Sequence, residues 1–509
     1  IALDCPAGSP EPTVDVINVP AGTYTLSLGG FGDDAGGAGD LDIIGSLDIV
    51  GAGAGTTIID GNGIDRVFHI MVNGPVSMSG LTITGGGHAV GNPGAGIYVE
   101  FGQLTGTSIV VTENDAGSSI LTSGGGGVLV GPTAALTLMS SVVSNNSAGR
   151  GAGVFADGNS VSSPDVELIT TTLSGNTAVS ESGSTTGGGI WMQLADVTLD
   201  RSTVTGNTAT NGGGIFNQPL ATGELTVLNS TISGNTATGG GGGIEMAGTE
   251  TFGGGNAVVR FSTITDNTAP EGRGAGIDAA FATVELFASI VANNTGVECM
   301  VFAGGTFDSL GSNIDSDSTC GLDQTTDQPN TDPMLAALAS NGGPTLTHAL
   351  MEGSPAIDAV VEATPACPAT DQRAVARPQD GDGDGTSACD TGAFEAAAAV
   401  AEPTEEPTAA PTATPTAAPT ATPTAAPTAT PTAAPSPTST PTPSPTPTPT
   451  PTSPSPSGVL SGGSSPVSDE LPDTAAPTVG GLLSWLSIAL IAAAAGVQRM
   501  VARSRVARR

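Results

Sequence analysis

Hydrophobic and polar residues alternate in short segments that recur through the first 300 residues of the chain. The clearest copies begin at Thr203, Thr231 and Thr263, and each reads Thr, an aliphatic residue, Thr or Ser, a turn residue and Asn. Strict alternation of β-branched residues over a few positions indicates β-strands rather than helices. The copies recur at about 30 residues, and a fixed period of this length is typical of a solenoid.

The pattern predicts an all-β fold, a right-handed parallel β-helix whose three-sided coils stack about 4.8 Å apart. The aliphatic residue of each copy should point inward and build a ladder of Val111, Val143, Leu173, Val204, Ile232, Ile264 and Ile290. The Asn that ends each copy should hold a turn in the left-handed conformation and bond the next coil through its amide. The predicted Asn ladder comprises Asn114, Asn146, Asn176, Asn207, Asn235, Asn267 and Asn293.

A Gly-rich turn follows most copies and leads into another strand. If the first residue of that strand points inward, the next one points outward. These outward positions form a candidate ligand strip of Tyr98, Leu129, Phe155, Trp191, Phe216, Glu245 and Asp278. The strip could stack sugars or meet a partner protein, or it could pack beneath the long loops.

Composition narrows the class of protein. The net charge is −36 and only 12 residues are basic, all of them Arg, so nucleic acid is a poor partner, since affinity for phosphate comes from clustered Lys and Arg. Aromatic residues make up only 3% of the chain, so the core must consist of small aliphatic side chains shared between coils.

The sequence divides into four regions. We expect a β-helix, then C-terminal coils with a cap, then a disordered Pro/Thr-rich stalk, and finally an anchor with one transmembrane helix. Their bounds are 1–297, 298–397, 398–470 and 471–509. Proline fixes φ and removes a backbone donor, so the stalk should sample extended polyproline II. Because Ile1 is not Met and Cys5 has no nearby partner, we expect the sequence to be a fragment.

The C-terminal end predicts a cell-surface location. Residues 474–498 form an uncharged segment that is long enough for a transmembrane helix, and five Arg follow it. Arginines that flank a transmembrane helix stay on the cytoplasmic side, so the β-helix and the stalk that precede the helix should be extracellular. The preceding Leu471, Pro472, Asp473, Thr474 and Ala475 resemble the LPxTG sorting signal of Gram-positive surface proteins. That resemblance implies a sortase as partner, although Ala475 replaces the usual Gly and leaves cleavage open.

A family resemblance rests on motifs near the end of the body. These are Asn341-Gly-Gly-Pro-Thr, Gly353-Ser-Pro-Ala-Ile-Asp-Ala, Asp371-Gln-Arg, Arg377-Pro and Cys389-Asp-Thr-Gly-Ala-Phe-Glu. Together they closely resemble the C-terminal part of the choice-of-anchor Q surface proteins of bacteria. The resemblance implies an exported right-handed β-helix with interchangeable surface anchors, and it implies no known reaction.

Cysteine usage fits an exported protein. We expect one disulfide between Cys299 and Cys320 and a second between Cys367 and Cys389. A metal site is the alternative, but no CxxC spacing supports it.

An acidic loop is the candidate metal site. Asp380, Asp382 and Asp384 occupy positions 1, 3 and 5 of a calcium-type loop, and Thr386 would offer its carbonyl at position 7. Asp390 lies one residue before the position of the usual final acid. The loop therefore predicts Ca²⁺ binding, with a solvated acidic turn as the alternative.

These observations favour a non-enzymatic adhesin or envelope-structural protein, with polysaccharide or another surface protein as partner. The alternative is a carbohydrate-active enzyme of the polysaccharide lyase type. Lyases of this shape generally need a Lys or Arg base beside acids. The chain has no Lys, and the arginines and histidines of its body lie at unlike repeat positions. Catalytic residues are therefore not predicted.

Overall fold

The computed structural model describes residues 14–30, 39–87, 93–119, 124–180, 183–218, 223–360 and 366–397. All their regular structure is β, and every pairing between named strands that is recorded is parallel. The described residues contain no helix that is long and apolar enough to cross a membrane. The predicted stalk, sorting signal and transmembrane segment, together with Cys5, lie outside the described residues.

The chain winds through three strand arrays in each coil. Arrays 1 and 2 belong to one 19-stranded sheet, and array 3 is an 11-stranded sheet. Array 1 contains Leu41–Ile43, Phe68–Ile70, Val154–Asp157, Ile190–Gln193, Ile215–Gln218, Ile244–Met246, Gly274–Ala280 and Val297–Phe302. Array 2 contains Asp15–Val19, Leu47–Gly51, Pro75–Ser79, Asp165–Ile169, Asp196–Asp200, Glu224–Leu228, Asn256–Arg260, Thr283–Phe287 and Thr306–Ser309. Two long strands, Ile97–Thr107 and Val128–Met139, run through both arrays.

Array 3 contains the recurrent segments that the sequence pattern identified. Its strands are Gly22–Thr25, Thr57–Asp60, Thr82–Thr84, Val110–Thr112, Val142–Ser144, Thr172–Ser174, Thr203–Thr205, Thr231–Ser233, Thr263–Thr265, Ile290–Ala292 and Ile314–Asp315. A small four-stranded sheet of Ser147–Ala148, Thr177–Ala178, Thr208–Ala209 and Thr236–Ala237 follows it.

The aliphatic ladder of array 3 is confirmed for six of its seven predicted members. Val111, Val143, Leu173, Val204, Ile232 and Ile264 are in register and fully buried. The seventh prediction, Ile290, was wrong. Val291 pairs with Ile264 and continues the ladder, whereas Ile290 pairs with Thr263 and faces outward. Ile290 is nevertheless buried, because Ala356 and other cap residues pack over it.

The Asn ladder is likewise displaced by one residue at its last step. Asn267 Nδ2 donates to Asn294 Oδ1 at 2.9 Å, so Asn294, rather than the predicted Asn293, extends the ladder. The left-handed conformation also lies elsewhere than predicted. It belongs to the residue before each ladder Asn, with φ of 58° at Asp266 and 62° at Asn293. The predicted bond to the next coil is confirmed, as when Asn207 Nδ2 donates to Asn235 Oδ1 at 2.9 Å.

The segment after Asp315 folds back as a cap over the outer face of array 3. Gln372 is fully buried there, accepting from Thr231 Oγ1 at 2.6 Å and donating to Thr203 Oγ1 at 2.9 Å. His348 Nε2 lies 2.8 Å from Ser233 Oγ. The cap therefore covers the later coils, while Thr82 and Thr172 at equivalent positions of earlier coils remain partly exposed.

Candidate functional site

The predicted ligand strip is one continuous column on the outer side of array 1. Pairing joins Tyr98 to Leu129 and continues through each coil to Glu245 and Asp278. The same register extends the column at both ends, to His69 and Asp42 on one side and to Met300 on the other. The outward column is thus longer than the sequence predicted, and polar residues lie on both sides of its aromatic middle.

The aromatic middle of the outward column is buried, so it does not offer an exposed stacking surface. Trp191 has no exposed area, and Phe155 and Phe216 are each 7% exposed. The Gly-rich turns pack directly on these side chains, since a Cβ on Gly124 would collide with the ring of Phe155. Phe155, Trp191 and Phe216 are therefore not accessible for stacking on a ligand, and they pack beneath the turns as in the alternative interpretation. Glycine is required there because the backbone approaches the rings closely.

The C-terminal end of the outward column is a buried ion cluster. Arg273 Nη2 donates to Glu245 Oε1 at 2.9 Å, and Arg273 Nε lies 3.0 Å from Asp278 Oδ2. Burial raises the pKa of Glu245 to about 7, although the nearby Arg273 acts in the opposite direction. Burial also raises the pKa of Asp278. Both carboxyl groups share one guanidinium, which makes the cluster a structural ion pair rather than a free acid and base.

The N-terminal end of the outward column contains a histidine between two acids. His69 Nε2 lies 3.1 Å from Glu100 Oε2, and His69 Nδ1 lies 3.5 Å from Asp42 Oδ1. The imidazole also stacks on Tyr98 with a ring separation of 4.9 Å. Asp40 Oδ2 pairs with Arg66 Nε beside them. His69 was not predicted as a site residue, because the histidines of the body lie at unlike repeat positions; its place one coil before Tyr98 was the available signal.

A second column, on the outer side of array 2, forms the floor of two open grooves. We call this column the floor column; its residues, which lie side by side in successive coils, are Pro75, Gln103, Ala135, Asp165, Asp196, Glu224, Asn256 and Thr283. Glu224 N donates to Asp196 Oδ1 at 3.0 Å, which joins the two halves of this floor column. One groove, of about 700 Å³, lies over Pro75 to Asp165, and the other, of about 500 Å³, lies over Asp196 to Thr283.

The lining of these grooves is mainly polar. Asn73, Ser162 and Ser163 contribute to the first groove, and the loop of Phe252 and Gly253 contributes to the second together with Phe281. Successive coils lie about 4.8 Å apart, so the floor column extends for about 34 Å parallel to the stacking direction. The grooves are thus suited to an extended, hydroxyl-rich chain rather than to a compact apolar ligand.

The predicted calcium loop contributes two carboxylates to an acidic cluster in the cap. Ligand oxygens of Asp358, Asp380 and Asp382 lie within 4.8 Å of one another. Asp358 was not predicted; its Oδ2 accepts from the backbone N–H groups of Gly381 and Asp382. Asp384 Oδ1 instead accepts from Thr386 N at 2.7 Å, so these two residues shape the loop.

The remaining predicted metal ligand, Asp390, lies in a different environment. Its Oδ1 accepts from Asp358 N at 2.8 Å and its Oδ2 accepts from Ala396 N, and the side chain is buried. Burial raises the pKa of Asp390 to about 7. Arg377 donates to the Asp390 and Gly392 carbonyls, which ties this part of the cap together.

Both expected cysteine pairs are disulfides in the structure. Cys299–Cys320 closes 21 residues where the last coils meet the cap. Cys367–Cys389 closes 22 residues around the acidic loop, and Cys389 packs with Phe261 and Phe287 of the coil stack.

Comparison with known proteins identifies the fold. Residues 126–315 match a family model described as a right handed beta helix region. The chain contains a right-handed β-helix domain. The match establishes the predicted hand of the solenoid. No curated protein matches the chain at a significant level.

Three solved structures are similar to the chain at low identity. A pectate lyase, Pel9A, has 15% identity and a TM-score of 0.41, and the match covers 75% of this chain and 88% of that one. The A-module of the Azotobacter vinelandii mannuronan C-5 epimerase AlgE6 has 14% identity and a TM-score of 0.34, covering 59% and 81%. A mannuronic acid specific polysaccharide family 6 lyase from human gut microbiota has 12% identity and a TM-score of 0.29, covering 62% and 85%.

Proposed function

We propose that this protein is an extracellular, surface-anchored β-helical rod that binds a neutral polysaccharide along the array 2 grooves. The observation that carries the proposal is the floor column, which aligns residues of eight successive coils, six of them polar, beneath two open grooves. Carboxylate and amide oxygens can accept hydrogen bonds from sugar hydroxyls. Phe252 and Phe281 add apolar surface at one end.

A neutral glycan fits the charge of the grooves better than an acidic one. Asp165, Asp196 and Glu224 lie on the floor, and the whole chain has a net charge of −36. A polyuronate would meet like charges along its length and lose affinity. Hydroxyl groups of a neutral chain meet acceptors without this repulsion.

Binding without cleavage is favoured by the pairing of the arginines in the coil stack. Arg201 pairs with Asp200 at 3.0 Å and Arg260 pairs with Glu285 at 2.5 Å. Arg273 pairs with both Glu245 and Asp278, and Arg66 pairs with Asp40. Arg150 lies over the Trp191 ring. A guanidinium held by a carboxylate is a poor proton acceptor, which weighs against the alternative of a polysaccharide lyase.

Surface anchoring is the second part of the proposal. Its support is the Pro/Thr-rich stalk, the uncharged segment 474–498 and the five arginines after it. The LPxTG-like Leu471–Ala475 would make a sortase the partner that links the protein to a cell wall. We also propose Ca²⁺ as a cofactor of the cap, where the support is the acidic cluster of Asp358, Asp380 and Asp382.

The test is binding of the full chain to neutral glucan, mannan and xylan, with polygalacturonate and alginate in parallel. We expect binding to a neutral polymer by calorimetry and no unsaturated product by ultraviolet absorbance. Asn256→Ala combined with Phe252→Ala should weaken binding about tenfold, because each removes a groove contact. Thr198→Ala, on the same array but outside the floor column, is the matched control. Turnover of any polymer would instead support the lyase, and equal affinity of all variants would exclude the groove.

A further inference from the structure

The N-terminal end of the outward column brings together three metal-type ligands. Asp40 immediately precedes the first strand of array 1, Asp42 lies in that strand, and His69 pairs with Asp42 from the next coil. One ligand atom from each of these three residues lies within 4.8 Å of the other two. This separation allows a single ion to contact all three.

The cluster is buried and rich in negative charge. The side chains of Asp40, Asp42 and His69 are 0%, 3% and 4% exposed. Asp65 is buried alongside them, and Glu100 contacts His69 from the following coil. Arg66 supplies one positive charge against these carboxylates.

A second observation points to a ligand at the same place. Arg66 Nε donates to Asp40 Oδ2, whereas Asp40 Oδ1 has no hydrogen-bond partner among the residues that the structure describes. A buried carboxylate oxygen without a partner is costly, because it has lost its hydration. Asp40 Oδ1 is therefore an acceptor that a bound cation would satisfy.

We propose that Asp40, Asp42 and His69 bind one divalent transition-metal ion of the zinc class. Two carboxylates and one imidazole match that class, whereas Ca²⁺ prefers oxygen ligands alone. Glu100 contacts Nε2 of His69, and a carboxylate on one ring nitrogen commonly orients a histidine that binds a metal through the other. This site is separate from the acidic cluster of the cap and does not depend on the polysaccharide proposal.

The test is titration of the chelator-treated full chain with Zn²⁺, followed by calorimetry. We expect one ion per chain, with affinity at least 100-fold lower in His69→Gln and in Asp40→Asn. Asp382→Asn, which removes a carboxylate from the cap cluster, should leave this affinity unchanged. Circular dichroism of the metal-free variants checks that each is folded.

A spectroscopic measurement keeps the proposal testable if those variants fail to fold. Cu²⁺ bound to the unaltered chain should show nitrogen coupling from one imidazole in its electron paramagnetic resonance spectrum. Zinc binding weaker than millimolar would overturn the proposal, and so would oxygen-only coordination. Unchanged zinc affinity in a folded His69→Gln variant would also overturn it. A protonated His69 paired with Asp42 and Glu100 would then account for the cluster.

Discussion

The coil stack, up to Asp315, and the cap, from residue 316 to 397, are stabilised in different ways. The stack repeats one set of neutral contacts, an inward aliphatic residue and an Asn amide in successive coils. The cap uses each contact once and relies on charge, as in Arg373 with Asp371 at 2.7 Å and Arg377 with Glu395 at 3.4 Å. Repetition makes the stack a nearest-neighbour structure, whereas the cap depends on residues far away in sequence.

This difference predicts how far a destabilising substitution acts in each region. Every coil of the stack supports the coil on either side, so a lost ladder contact weakens two interfaces. The cap meets the stack through a few side chains, chiefly Gln372 and His348, whose partners are more than 100 residues away. Loss of a cap contact should therefore release the cap and leave the coils intact.

The largest expected effect follows from breaking the Asn ladder in the middle of the stack. In Asn207→Ala, Leu173 O and Asn235 Oδ1 lose a donor and Asn176 N loses its acceptor, all in a buried setting. We expect the free energy of unfolding to fall by about 3–5 kcal/mol, measured by denaturant titration.

The matched control for this ladder variant is Asn293→Gly. Asn293 is exposed, has a φ of 62° and lies beside the ladder rather than in it. Glycine adopts this conformation freely, so the change should stay within about 0.5 kcal/mol. A large loss of stability in the Asn293 variant, together with a small loss in the Asn207 variant, would contradict the observed register.

The second expected effect is local to the cap. Gln372→Ala removes bonds to Thr231, Thr203 and Thr345, so we expect about 2–4 kcal/mol less stabilisation of cap docking. Hydrogen exchange should then speed up in residues 366–397 and stay slow in the coils. Gln379→Ala, which loses one exposed bond to Ala376 O, is the control. Faster exchange throughout the stack would show that the two regions unfold together.

The stack was largely predictable from sequence because its contacts recur at a fixed spacing. Val204 and Asn207 stand at the same relative position as their neighbours one coil away, so alternation alone gives their direction. The error at Asn293 arose where two consecutive Asn residues occur and the pattern fits either. The burial of Trp191 was not predictable, because it depends on how closely the Gly-rich turns approach.

Polar clusters were harder to predict because they combine coils and loops. His69 meets Asp42 and Glu100 only through the register of three coils. Asp358 joins Asp380 and Asp382 across a chain reversal that no local spacing encodes. The cap motifs were visible in the sequence, but the docking role of Gln372 was not predictable, because it depends on which side chains array 3 presents to the cap.

The third effect concerns pH and compares buried acids of the two regions. Burial raises the pKa values of Glu245 in the stack and Asp390 in the cap to about 7. The folded state then binds more protons than the unfolded state, so stability should fall as pH rises from about 5 to 8. Glu245→Gln should remove about 2–3 kcal/mol of that fall, as judged by urea unfolding at several pH values. A folded Glu245→Gln variant that keeps the wild-type slope would contradict this prediction.

The smallest expected effect is calcium binding by the cap, which distinguishes the predicted loop from the observed cluster. Ca²⁺ at ten times its dissociation constant should stabilise the full chain by about 1.4 kcal/mol and raise its melting temperature. Asp382→Asn should lose this shift, because Asp382 lies within 4.8 Å of Asp358 and Asp380. Asp384→Asn should keep it, because Asp384 bonds Thr386 N instead. Loss in both variants would favour the sequence-predicted ligand set, and a wild-type chain without any shift in calorimetry would exclude the site.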